Sequence, residues 1–88
     1  MQKIKEKAMP KWFKGEVYTK GDTVTNQFSG DDFELSPHEL SMYDFIIGTQ
    51  LMMELQPKVV TAKHISDFHK AISWFRSANV DAYYVLLD

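Results

Sequence analysis

Between Ser36 and Pro57 the chain carries a helix whose two ends are marked by its own residues. Ser36 followed three positions later by Glu39 is a capping box, in which each residue's side chain satisfies the other's backbone amide. Pro37 follows the cap, at the first helical position, where a missing N–H costs nothing. Pro57 pushes Gln56 out of helical geometry and sets the far limit. Within these bounds Leu40, Tyr43, Ile47, Leu51 and Leu55 fall on one apolar stripe, at about 100° per residue. Phe45 and Met52 lie well off it, and Met42, Ile46 and Met53 occupy a third arc. Asp44, Thr49, Gln50 and Glu54 are scattered between the arcs instead of sharing a face. A helix apolar most of the way round is buried on more than one side. Asp44, Gln50 and Glu54 interrupt the run before it reaches a membrane-spanning length. Gly48 in mid-helix predicts close approach of a neighbouring element.

The rest of the chain must cover that helix. Trp12, Phe13, Val17 and Tyr18 mark a first sheet-like segment, broken by Gly15. Lys20-Gly21-Asp22 reads as a turn. From Thr23 to Phe28 the residues alternate, with Val24 and Phe28 on one side, as in a half-buried strand. Ser29-Gly30-Asp31 turns the chain again, and Phe33 and Leu35 share the face of a returning strand. The pattern predicts an antiparallel hairpin from about Val24 to Leu35, or a three-stranded meander if Trp12–Tyr18 joins it. A lone hairpin is barely stable in water, so its apolar face belongs on helices. Thr61 is placed to cap a second helix over 62–77, where Ile65, Phe68, Ile72 and Phe75 form a narrow stripe. Asn79 reads as a helix-ending or helix-starting residue, and Val80 to Leu87 as one short last helix. The fold class expected is α+β: hairpin or meander on two main helices, with a short C-terminal helix.

Eighty-eight residues make one domain with a modest core. The division read from the sequence is a flexible basic lead over 1–8 and one small globular domain over 9–88, with Met9 an alternative start to Met1. Aromatic content of 14% argues against disorder. With no cysteine, disulfides, thiolate metal sites and thiol nucleophiles are excluded. No apolar secretory segment follows the basic start, so cytoplasmic residence is expected. The net charge of −2 is unevenly spread. Six lysines against two glutamates give the first twenty residues +4, leaving −6 for the remainder.

Little in the sequence points to chemistry. His64 and His69 stand five apart on a helix and face different ways, and His38 belongs to the first turn of the central helix. All three read as surface or cap histidines, with no metal and no cofactor expected. Asp31-Asp32 lacks the oxygen spacing of a calcium loop. Ser29 has no visible base, and the four glycines form no phosphate-binding pattern. An enzyme is not expected. Two surfaces remain. Lys3, Lys5, Lys7, Lys11 and Lys14, interleaved with Trp12 and Phe13, would suit nucleic acid, the lysines on phosphates and the rings on unpaired bases. A single arginine and an acidic body weigh against it. The leading candidates for a protein contact are Met42, Phe45, Ile46, Met52 and Met53 on the central helix. Trp74 joins them, since it stands opposite the second helix's apolar stripe. Either the Tyr83–Leu87 segment folds over it or a partner does. A short chain with so many apolar arcs also predicts a homodimer.

Several strings carry a resemblance: Met9-Pro10-Lys11-Trp12-Phe13-Lys14-Gly15, Asn26 through Ser29-Gly30, Glu39 through Ile46, Trp74-Phe75-Arg76 and Val85-Leu86-Leu87-Asp88. Together they are similar to small proteins of marine tailed phages, notably T4-like cyanophages, from Met9 onward. The resemblance brings no catalytic or binding residues with it. It implies a viral accessory protein acting in an infected bacterial cell, binding a host or viral protein, with nucleic-acid binding as the alternative.

Overall fold

The computed structural model describes residues 6–87, and its elements follow the punctuation of the sequence. Strands β1 (Asp22–Thr25) and β2 (Asp32–Leu35) pair antiparallel, with Val24 opposite Phe33 and Thr25 opposite Asp32. Helix α1 runs Pro37–Leu55, and a single 3-10 turn, Pro57–Val59, leads into α2 (Ala62–Ala78) and α3 (Val80–Leu86). The fold is a small α+β unit of one two-stranded sheet and three helices.

Each helix starts on a side-chain cap. Ser36 Oγ accepts from the Glu39 amide at 3.3 Å, and Glu39 Oε1 accepts from the Ser36 amide at 3.0 Å. On α2 the same exchange joins Thr61 to His64, whose Nδ1 accepts from the Thr61 amide at 3.0 Å. Asn79 caps α3 by accepting from Ala82 N at 3.1 Å, and its amide nitrogen donates to Glu39 Oε1 at 3.3 Å. One carboxylate therefore serves both the start of α1 and the joint between α2 and α3.

The core gathers Leu35, Met42, Ile46, Ala71, Trp74, Phe75, Ala82 and Leu86. Its α1 members come from the third arc, not from the Leu40–Leu55 stripe. Tyr43, near the start of that stripe, still reaches Phe75, with ring centroids 6.1 Å apart. Farther along, Leu51 stays 49% and Leu55 76% exposed. These two residues point roughly opposite to Met42 and Ile46 around the helix. α1 thus has one apolar face in the core and a second one open.

Three expectations are corrected here. Trp12–Tyr18 is not a third strand. Phe13 N closes a turn onto Pro10 O at 3.1 Å, and the segment docks on α1 through side chains. Trp12 and Phe13 meet the Phe45 ring at 5.9 and 5.6 Å, and Ser41 Oγ accepts the Tyr18 amide at 2.8 Å. Gly48 is not crowded: a side-chain carbon there would meet nothing within 4 Å. The close approach belongs to Gly21, where an added carbon would collide with the Leu35 carbonyl oxygen. Finally, Glu6–Ala8, expected in the flexible lead, is tied down. The His38 amide donates to Glu6 Oε2 at 2.8 Å, and Lys7 Nζ donates to Ser77 Oγ at 2.8 Å. Met1–Lys5 lies outside the described residues.

Candidate functional site

Asn26 ends β1 and builds the loop that follows. Its Oδ1 accepts from Phe28 N at 2.8 Å and Ser29 N at 3.2 Å, an Asx turn of the kind asparagine favours. The loop is closed by Asn26 N donating to Asp31 O and Gly30 N donating to Asn26 O, both at 2.8 Å. Gly30 takes a φ of 79°, which glycine adopts without the usual side-chain clash. The Asn26 amide nitrogen then donates to Val85 O at 2.8 Å and anchors the loop to α3. Backbone, side chain and a tertiary bond hold this turn in one shape.

That fixed loop presents Phe28 fully to solvent. The alternation of Thr23–Phe28 placed Phe28 with Val24 on a half-buried strand face. The strand instead stops at Thr25, because Asn26 spends its side chain on the turn. Phe28 lines one edge of a hollow of about 340 Å³, whose other apolar walls are Tyr43, Ile47, Leu51, Leu86 and Leu87. Its polar lining is Thr25, Asn26, Gln27 and Gln50, so no charged side chain borders it. The exposed aromatic stands at the edge of a hollow of mixed polar and apolar lining that holds no charged side chain. Sequence reasoning missed Phe28. The available signal was Asn26 with Gly30, turn residues that should have ended the strand sooner.

The residues singled out from the sequence fall elsewhere. Met42 and Ile46 are sealed in the core, so neither offers contact surface. Trp74 is also buried, and its indole N–H donates to Ala8 O at 3.0 Å. The polar handle of that ring is satisfied by the N-terminal segment, a third answer to what covers it. Phe45 is half-buried under Trp12 and Phe13, while Met52 and Met53 are half-buried on the distal part of α1. Trp12 and Phe13 turn inward to that ring and are no free stacking platform. Lys7, Lys11 and Lys14 are exposed; Lys3 and Lys5 lie outside the described residues. Arg76 sits 5.5 Å from the Tyr83 ring centroid, a cation–π contact between α2 and α3.

The histidines serve the fold. His64 completes a cap, His69 meets the Phe68 ring edge-on, and His38 Nδ1 lies 2.9 Å from Lys7 O. Burial pushes the Glu6 carboxyl up. Hydrogen bonds from the Ser36 side chain and the His38 amide, with the His38 charge, outweigh that and hold it below the usual carboxylate range. Tyr18 is shifted the other way: its hydroxyl donates to Asp44 Oδ2 at 2.6 Å, and that bond raises its pKa. Among the described residues no group of three or more His, Asp or Glu side chains is arranged to hold a metal ion. No helix among them is long and apolar enough to cross a membrane. The chain matches no known family, no curated protein and no solved structure.

Proposed function

We propose that this chain is a small non-catalytic accessory protein that acts by binding protein, through Phe28 and the hollow beside it. The carrying observation is the exposed ring on a loop that Asn26 holds in place. Burying such a ring is worth about 1.5–3 kcal/mol, and a preformed loop avoids much of the ordering cost of binding. On the resemblance read from the sequence, the partner is a host-cell or viral protein in an infected bacterial cell.

The test replaces Phe28 with a photo-crosslinking phenylalanine analogue and irradiates the protein in extract of infected cells. A discrete adduct is expected at position 28 and not with the same probe at Lys14, an exposed residue of the N-terminal segment. Identical adducts from both positions would refute a contact surface at Phe28. The nucleic-acid reading keeps only its lysines, since the rings that would stack are packed on Phe45.

A further inference from the structure

We propose that residues 6–18 are a strap whose free end, 6–13, opens and shuts as one unit over Trp74 and Phe45 while the rest of the molecule stays folded. The body is complete without it. The core residues come from β2 and the three helices, and no residue of 6–18 is buried. Every helix cap is likewise made between residues of the body. Among the described residues the strap's one backbone–backbone hydrogen bond, Phe13 N to Pro10 O, is internal. Opening therefore breaks no ladder and no helix.

What holds the free end is a row of single contacts to α1 and α2. Glu6 Oε2 accepts from the His38 amide at 2.8 Å, and the Lys7 carbonyl oxygen lies 2.9 Å from His38 Nδ1. Lys7 Nζ donates to Ser77 Oγ at 2.8 Å, and Ala8 O accepts from the Trp74 indole at 3.0 Å. Trp12 and Phe13 then clasp the Phe45 ring. Tyr18 is the root, bonded through its amide to Ser41 and through its hydroxyl to Asp44. A segment held this way, with little buried surface, belongs to the low-stability part of a fold that opens locally. The released polar groups all pass to water, so none is left buried and unpaired. Two rings are uncovered: Trp74, only 8% exposed with the strap shut, and Phe45, which loses both ring partners.

Hydrogen exchange on the full chain, followed by NMR, tests the opening. Two reporters are bonded to the strap and to nothing else among the described residues: the His38 amide, in the first turn of α1, and the Trp74 indole N–H. They should share one protection factor, at least about tenfold below those of the Ile46 and Phe75 amides in the core. Glu6→Ala removes a hydrogen bond to a charged group and should lower both reporters at least about tenfold, with the circular dichroism spectrum kept. The Trp74 response decides, because Glu6 is bonded to His38 whereas the indole is bonded to Ala8. A Trp74 indole as protected as the Phe75 amide in the wild type overturns the proposal, since it then opens only with the whole fold. Glu6→Ala that speeds His38 and leaves Trp74 unchanged overturns the single unit. If Glu6→Ala fails to fold, Phe13→Ala at the ring clasp is read in its place, and it too should speed both reporters together.

Discussion

Single side chains with several partners set what this structure tolerates. Asn26 has the most: two loop amides and the Val85 carbonyl. Asn26→Ala should cost about 1–3 kcal/mol, the range for leaving partly buried polar groups unmade, and should speed amide exchange at Phe28 and Ser29. Chemical denaturation and hydrogen exchange measure the two effects separately. Phe28→Ala, one residue beyond the next, should change stability by less than about 0.5 kcal/mol, because the ring touches solvent alone. Ser41 is buried and both accepts from Tyr18 N and donates to Pro37 O at 2.7 Å. Its sequence neighbours gave no hint of that. Long-range partners 23 positions apart are invisible to local pattern, whereas the Ser36–Glu39 exchange was legible from a spacing of three.

The caps made the helices readable as elements, and the faces of α1 defeated the same reading. Ser36, Pro37 and Pro57 placed its ends to within a residue of the observed Pro37–Leu55. Periodicity offered three apolar arcs and could not say which of them the chain covers. The longer stripe looked stronger, yet α2 and α3 settled on Met42 and Ile46. The glycines show the same limit. Gly48→Ala should stabilise α1 by about 0.5–1 kcal/mol, since the added carbon enters open space in a helix interior. Thermal melting should then rise by a few degrees. Gly21→Ala should do the opposite, because the Leu35 carbonyl occupies the position its methyl needs. A melting temperature unchanged by both would contradict the contact geometry of the two sites.

At the scale of the whole molecule, the N-terminal segment is a strap. It crosses from His38 and Ser77 to Phe45 and Ser41 without pairing into the sheet. Glu6 makes part of its hold pH-dependent. A carboxyl with a folded pKa below its unfolded value of about 4.5 adds stability that is complete above that pH. The contribution is lost as pH falls through the lower folded value. Wild type should therefore lose more stability than Glu6→Gln between about pH 5 and the folded value, with equal slopes at neutral pH. Acid titration of denaturation midpoints for the two proteins measures the difference. Sequence reading gave 1–8 to a flexible lead because nothing there is apolar enough to bury; backbone carbonyls and a carboxylate make the contacts instead.

The strap also gives synthesis of this protein an order of events. Ala8 leaves the ribosome early, but the indole N–H that donates to its carbonyl belongs to a residue 66 positions later. At about 5–20 residues per second, that partner follows after roughly 3–13 seconds. Throughout that interval Met9, Trp12 and Phe13 hang from the nascent chain with no finished core to receive them. A ribosome stalled just after Gln56 has made Phe45 but not Trp74. It should hold a strap that proteases cut readily, and release of the full chain should close it. The bond from Trp74 to the Ala8 carbonyl can close only after the second helix has been made.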